Sequence, residues 1–161
     1  MNVLFDRLEN ALKPTSRKHL VQGVFGGKLC NQMVCQECGK VKNRLEDLLN
    51  LSVPIKGVKS VEEAMSKLLE GEIISDYNCD GCGKKVDLKK RTMIASTPNV
   101  LIVHLQRICF NFDTFQNDKV NSFCQFPNLL DLKPFSFHEV MGKEGRLKEQ
   151  QEEADDSIMG Q

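Results

Sequence analysis

Two Cys-x-x-Cys pairs constrain this chain more than any other feature of its sequence. Cys35 and Cys38 form the first pair, Cys79 and Cys82 form the second, and Gly and Lys follow each pair directly. Such a turn directs two thiolates to one point, and the Gly after it allows the left-handed backbone that lets amide groups face the sulfur atoms. Two turns complete a tetrahedron, so the spacing predicts a structural Zn2+ held by these four cysteines.

The alternatives are a redox dithiol, a pair of disulfides, or buried cysteines that act as small apolar side chains. A redox motif would follow a strand and open a helix, whereas both pairs here run into Lys-rich sequence typical of hairpins, at 39–42 and 83–86. A site of four thiolates has no open position, so it would hold the fold rather than react. Its apparent binding free energy would be roughly 10 kcal/mol or more.

The charge balance limits the classes of partner, and the remaining cysteines indicate the cellular compartment. The chain carries 22 basic and 22 acidic residues, so no overall field attracts nucleic acid or a membrane surface. No apolar run approaches the roughly 20 residues of a membrane span, and the first residues lack the order of a signal peptide. Cys30, Cys109 and Cys124 remain after zinc ligation, an odd number that suits a reducing compartment. We therefore expect the cytosol, the nucleus or both.

Two segments have helical patterns. Leu4, Leu8 and Leu12 recur every four residues beside Phe5, which predicts a short amphipathic helix that ends before Pro14. The second helix has a capping box at its start and a glycine at its end, and its pattern consists of Ser60, Val61, Glu63, Ala64, Met65, Leu68, Leu69 and Gly71.

Other segments favour strands. Residues 100–105 are apolar at nearly every position, which predicts a central strand covered on both faces. The stretch from Phe110 to Phe126 predicts a strand, a loop and a second strand. The remaining predicted strands are Leu20–Phe25, Lys28–Cys30, Leu49–Ile55 and Lys89–Ala95. Residues 139–161 hold seven acidic and three basic residues and few large apolar ones, which predicts a solvated acidic tail or the start of an insertion, with a transient helix near Arg146.

In order, these motifs resemble the catalytic domain of the ubiquitin-specific proteases, cysteine proteases that cut ubiquitin from proteins. The resemblance spans Phe25 to Phe135, over two-thirds of the chain. Besides the two cysteine pairs, its carriers are Phe25–Gly27, Leu68–Gly71, Tyr77–Lys85, Lys90–Arg91, Pro98–Arg107, Lys119–Val120 and Phe126–Phe135.

The resemblance implies an α+β fold, a fragment of a papain-like cysteine protease with antiparallel finger strands, a zinc-ribbon-like tip and one or two short helices. Residues 1–138 would be a partial catalytic domain, with the fingers at about 25–95 and palm strands at about 90–135, before the acidic 139–161. In that family the fingers hold the globular body of ubiquitin and zinc keeps their tips folded. The implied ligands are Cys35, Cys38, Cys79 and Cys82, and the implied partner is ubiquitin or a ubiquitinated protein.

The boxes that carry the family's catalytic Cys and His are absent, so no catalytic residue is predicted. Cys30 lacks the oxyanion-hole Asn before it, and His104 and Cys109 would point to opposite faces of a continuous strand. The chain is thus expected to be the ubiquitin-binding portion of a thiol-dependent deubiquitinase and inactive alone. A non-catalytic ubiquitin-binding scaffold is the alternative. A nucleic-acid-binding zinc ribbon is a third, motivated by the basic run Lys84, Lys85, Lys89, Lys90 and Arg91.

Overall fold

The computed structural model describes residues 2–144. The helices are α1 at Asn2–Leu12, α2 at Leu20–Phe25, α3 at Val61–Glu70 and α4 at 137–144. The strands are β1 at Gly27–Cys35, β2 at Val41–Leu48, β3 at Leu51–Pro54, β4 at Glu72–Cys79, β5 at Lys84–Ser96, β6 at Val103–Gln106, β7 at Ile108–Asn111 and β8 at Gln116–Lys119. A short 3-10 turn covers Lys133–Phe135.

Four strands form an antiparallel sheet in the order β2-β1-β5-β4, which we call the finger sheet. Each Cys-x-x-Cys turn closes one hairpin, because the first pair lies between β1 and β2 and the second between β4 and β5. Since β1 pairs with β5, the two hairpins lie side by side and their turns meet at the same end of the sheet. This pairing positions the four cysteines.

The opposite end of the sheet belongs to the hydrophobic core. Helix α3 packs on β3 and β5, and Val53, Ala64 and Met65 are fully buried there. The predicted cap is present, since the Ser60 hydroxyl accepts a hydrogen bond from the Glu63 amide at 3.2 Å. The predicted helix and its glycine stop are therefore confirmed, and the helix fixes the base of the finger sheet.

The predicted aromatic strand pair is present as an antiparallel hairpin of β7 and β8. Its side chains do not enter the core, since Phe112 is 77% and Phe115 is 78% exposed. The predicted two-sided burial of residues 100–105 is wrong within the described chain. Strand β6 is short, pairs in parallel with β3, and leaves His104 exposed. Its apolar residues pack on the core from one side only. The apolar run at 100–105 therefore combines one buried strand face with the irregular segment that precedes the strand.

The predicted strand at Leu20–Phe25 is wrong, because this segment is helix α2. Val21 and Phe25 are four residues apart and so share one helix face, where Val21 is buried and the Phe25 ring lies 5.1 Å from that of Phe5. The predicted helix α1 is confirmed, but Phe5 rather than Leu4 or Leu8 is its buried anchor. Packing of the two helices on each other overrides the strand propensity of Val21 and its neighbours.

Three further elements differ from the sequence expectation. Strand β4 was not among the predicted strands, since Ile73 and Ile74 are adjacent and the segment does not alternate apolar and polar residues. Strand β2 was not predicted, because its residues are exposed up to Leu48 and carry no alternating apolar pattern; pairing with β1 creates it. Residues 139–144 belong to α4 rather than to a solvated tail, so the boundary expected at residue 139 falls inside a helix. Ser136 caps this helix through the Glu139 amide. The transient helix near Arg146 lies outside the described residues.

Among residues 2–144, no helix is both long and apolar enough to cross a membrane.

Candidate metal centre

The four cysteines predicted to bind one metal ion come together at the tip of the finger sheet. Their sulfur atoms all lie within 4.8 Å of one another. The closest approaches cross between the hairpins, since Cys35 Sγ lies 3.7 Å from Cys82 Sγ and Cys38 Sγ lies 3.7 Å from Cys79 Sγ. Each turn thus contributes two thiols to a shared cluster, as the duplicated spacing predicts.

The two turns have the same backbone geometry. Gly39 has φ of 68° and Gly83 has φ of 67°, both in the left-handed region. The Gly39 amide donates to the Cys35 carbonyl at 3.1 Å, and the Gly83 amide donates to the Cys79 carbonyl at 2.8 Å. Because L side chains adopt this conformation rarely, the glycine after each pair is what lets the chain turn back into the next strand.

The arrangement fits a zinc ion. Zinc bound to four thiolates at about 2.3 Å in a tetrahedron places neighbouring sulfur atoms about 3.8 Å apart. The two cross-hairpin separations of 3.7 Å match that edge length. Cys35, Cys38, Cys79 and Cys82 would therefore hold the ion, and when bound it would cross-link the two hairpins without an open position for chemistry.

Hydrogen bonds within the cluster lower the pKa of one thiol and raise the pKa of another. The Cys38 amide points at the Cys35 sulfur at 3.5 Å and is the main reason that the pKa of Cys35 falls to about 6. Hydrogen bonding to Cys38, then burial and the other cysteines, raise the pKa of Cys82 to about 12. A metal must therefore displace protons from the cluster, so its affinity falls as the pH falls.

Neighbouring side chains support the cluster. Val86 is buried beside Cys35 and Cys79, and Tyr77 packs against the same group. The Lys84 ammonium donates to the Glu37 carboxylate at 2.6 Å, joining the two turns and raising the pKa of Lys84. Tyr77 and Val86 were not predicted to belong to the site. The spacing of Val86 and Leu88 along β5 was the available signal, since both face one side of the strand.

The remaining cysteines and histidines lie elsewhere. Cys30 is 1% exposed on β1, and burial raises the pKa of its thiol, which disfavours the nucleophilic thiolate. Cys124 is buried in the main core. His104 lies 3.2 Å from the Ser52 hydroxyl on the neighbouring strand, and His138 lies in α4.

The family described as "Ubiquitin carboxyl-terminal hydrolase" matches residues 1–152. The chain is 30% identical over 149 residues to the Drosophila melanogaster protein named "Probable ubiquitin carboxyl-terminal hydrolase FAF", covering 91% of this chain and 5% of that protein. It is 35% identical over 137 residues to the human "Ubiquitin carboxyl-terminal hydrolase 40", covering 83% of this chain and 11% of that protein. An Arabidopsis thaliana relative, "Ubiquitin carboxyl-terminal hydrolase 23", is 34% identical over 82% of this chain and 15% of its own length.

Solved structures share the fold. The SAGA DUB module Ubp8/Sgf11/Sus1/Sgf73 bound to ubiquitin aldehyde contains a chain that matches with a TM-score of 0.65 and 30% identity, covering 73% of this chain and 26% of that one. A variant of the same module bound to monoubiquitin matches with a TM-score of 0.69 and 27% identity, covering 79% of this chain and 30% of that one.

The finger sheet, its cysteine tip and the adjoining strands define part of a cysteine-type deubiquitinase fold, which confirms the predicted resemblance and fold class. The chain belongs to the ubiquitin carboxyl-terminal hydrolase family, in its ubiquitin-specific protease branch. It spans about a twentieth to a seventh of the length of the curated relatives given above.

Proposed function

We propose that this chain is the ubiquitin-binding portion of a deubiquitinase that hydrolyses the bond after the C-terminal Gly of ubiquitin. The observation that carries the proposal is the finger sheet with four cysteine thiols at its tip, in a fold shared with modules solved with ubiquitin bound. In the whole enzyme a thiolate activated by a histidine would attack the carbonyl carbon and water would then release the acyl-enzyme. The protein would work in the cytosol, the nucleus or both.

Burial of two of the three remaining thiols supports a role in binding rather than in chemistry for the chain alone. Cys30 and Cys124 are both buried, and a buried thiol with a raised pKa, as at Cys30, is a weak nucleophile. The chain is expected to release no fluorophore from a ubiquitin-derived fluorogenic amide. Turnover that disappears in Cys30→Ala, Cys109→Ala or Cys124→Ala would overturn this expectation.

Titration of fluorescently labelled ubiquitin, followed by anisotropy, tests binding. The expected result is saturable binding by the zinc-loaded chain that weakens when a chelator removes the metal. Cys82→Ser should weaken binding in the same way, and Cys109→Ser is the matched control because Cys109 lies on β7, outside the cluster. Absence of binding at millimolar ubiquitin, with the zinc retained, would contradict the proposal.

A non-catalytic ubiquitin-binding module remains the alternative function. This alternative predicts the same ubiquitin binding as the deubiquitinase portion does. Sequencing the transcript beyond both ends of this reading frame distinguishes the two functions. In-frame Cys and His boxes would indicate an enzyme, and stop codons on both sides would indicate a binding module.

The third candidate, a nucleic-acid-binding zinc ribbon, has less support. Most of the basic run that motivated it is engaged by carboxylates, since Glu37, Asp76, Glu72 and Glu144 pair with Lys84, Lys85, Lys90 and Arg91, respectively. Basic side chains that are neutralised in place attract phosphates weakly.

A further inference from the structure

Helix α4 covers part of one face of the finger sheet, and the open part of that face forms a groove. Strand pairing arranges the groove in rows, since Gln32 lies opposite both Asn43 and Arg91. One row nearer the cysteine tip, Val34 lies opposite both Val41 and Lys89. The face therefore presents a polar row beside α4 and an apolar row with one lysine beyond it.

An ion pair fixes the end of α4 at the edge of this groove. The Arg91 side chain is 12% exposed, and its Nη2 donates to Glu144 Oε2 at 2.8 Å. Arg91 Nε donates to Gln32 Oε1 at 2.8 Å, and Gln32 is itself 2% exposed. The guanidinium is thus held by a buried amide while it binds the carboxylate with two nitrogens, a geometry that fixes direction as well as position. The chain after Glu144 must begin at this point.

The groove beside that ion pair has a volume of about 520 Å3. Val34 and Val41 supply apolar surface, and Lys89 stands among them as a half-buried cation. Within residues 2–144, Lys89 forms no ion pair, whereas the neighbouring Lys90 and Arg91 do. Glu144 is the carboxylate in the lining and already binds Arg91. The groove therefore fits a ligand that offers an apolar residue followed by carboxylates.

We propose that residues 145–161 of this same chain bind in this groove. Their sequence has the required order, because Leu147 comes three residues after Glu144 and the acidic residues follow it. These are Glu149, Glu152, Glu153, Asp155 and Asp156. Leu147 fits the apolar row, and the carboxylates then reach Lys89.

The length of the segment suffices for this path. Eight extended residues span at most about 26–29 Å. Gln32 and Cys35 are three residues apart on β1, so the groove and the cysteine tip lie within about 10 Å of each other along the strand. Because the segment is tethered at the groove, its effective concentration there is in the millimolar range, so a Kd of about 1 mM from the apolar contact and the ion pairs together gives half occupancy.

Zero-length carbodiimide coupling of the full chain, read by mass spectrometry, tests the proposal without ubiquitin. The reagent joins a lysine amine to a carboxylate only when the two are in contact. We expect links from Lys89 to the acidic residues of 149–156, at least about fivefold more abundant than links from Lys59, and reduced about fivefold at 1 M salt. Lys59 is the matched control, since it is exposed just before α3.

Charge exchange provides the decisive comparison. Lys89→Glu should abolish the link, and adding Glu152→Lys and Glu153→Lys should restore a link between position 89 and position 152 or 153. Equal yields at Lys89 and Lys59, or a yield that does not respond to salt, would overturn the proposal. Links between isotopically light and heavy copies in a mixture would also overturn it, because they would identify a second copy as the occupant. The expected links are confined to single copies.

Discussion

Removal of the metal is expected to unfold the tip of the finger sheet while the core remains folded. Ordering the two turns, at 36–40 and 80–83, fixes about nine residues, which costs about 13 kcal/mol at about 1.5 kcal/mol per residue. The apolar surface at the tip is small, since Cys35, Cys79 and Val86 are its buried members. Their burial contributes about 5 kcal/mol, so the apo tip is short by several kcal/mol.

Zinc binding has an apparent free energy of roughly 10 kcal/mol that already includes the cost of ordering the turns, so the zinc-bound tip is folded. The reduced chain should therefore carry one zinc per molecule, and chelation should speed amide exchange in the distal parts of β1, β2, β4 and β5. Helix α3 should keep its protection, because it packs on β3 and the base of β5. Hydrogen exchange read by mass spectrometry measures both regions.

Cysteine variants provide the controls for this prediction. Cys79→Ser should reproduce the effect of chelation, because it removes one of four ligands. Cys109→Ser should leave zinc content and exchange unchanged, because Cys109 lies on the separate β7–β8 hairpin. Unchanged exchange at the tip after complete removal of zinc would refute the reasoning, as would a loss of zinc from the Cys109→Ser variant.

Three smaller predictions concern stability. Gly83→Ala should lower the free energy of unfolding by about 1 kcal/mol, since φ is 67° there, whereas Gly23→Ala in α2 meets no atom within 4 Å and should be neutral or slightly stabilising. Ser60→Ala should cost about 1 kcal/mol by removing the N-cap of α3, measured by urea denaturation, and no change in the midpoint would contradict it. Arg91→Met should release α4 by removing the partner of Glu144, seen as faster exchange at 137–144 with unchanged exchange in α3.

The parts of the structure that the sequence predicts are those whose information is local. The Ser60 cap, the apolar spacing of α3 and the glycine stop lie within one helix, and the structure has that helix at the expected place. The cysteine cluster could also be predicted from the sequence, because two copies of the same turn motif supply the four ligands of a single site. Local chemistry therefore sufficed for both.

The parts that the sequence did not predict depend on contacts between distant segments. Strand β2 is exposed on both faces up to Leu48, so pairing with β1 rather than any pattern of its own makes it a strand. Leu20–Phe25 has strand-forming residues but folds as a helix because Phe25 packs on Phe5. Helix α4 has a helical signal that was missed, because Phe137, Val140 and Met141 share one face, and the Arg91 to Glu144 ion pair holds its end. The pairing of β2 with β1, in contrast, leaves no periodicity in β2 to detect.

The order of strands in the finger sheet has a consequence for how fast the protein folds. Each hairpin joins strands that are neighbours in the sequence, but β1 and β5 pair residues as distant as Lys28 and Ser96, so closing this large loop is expected to limit the folding rate. A metal that binds one cysteine pair from each hairpin would bring these strands together before they pair. Refolding by stopped flow should therefore be faster with zinc than with a chelator, and equal rates would mean that the strands pair before the metal binds.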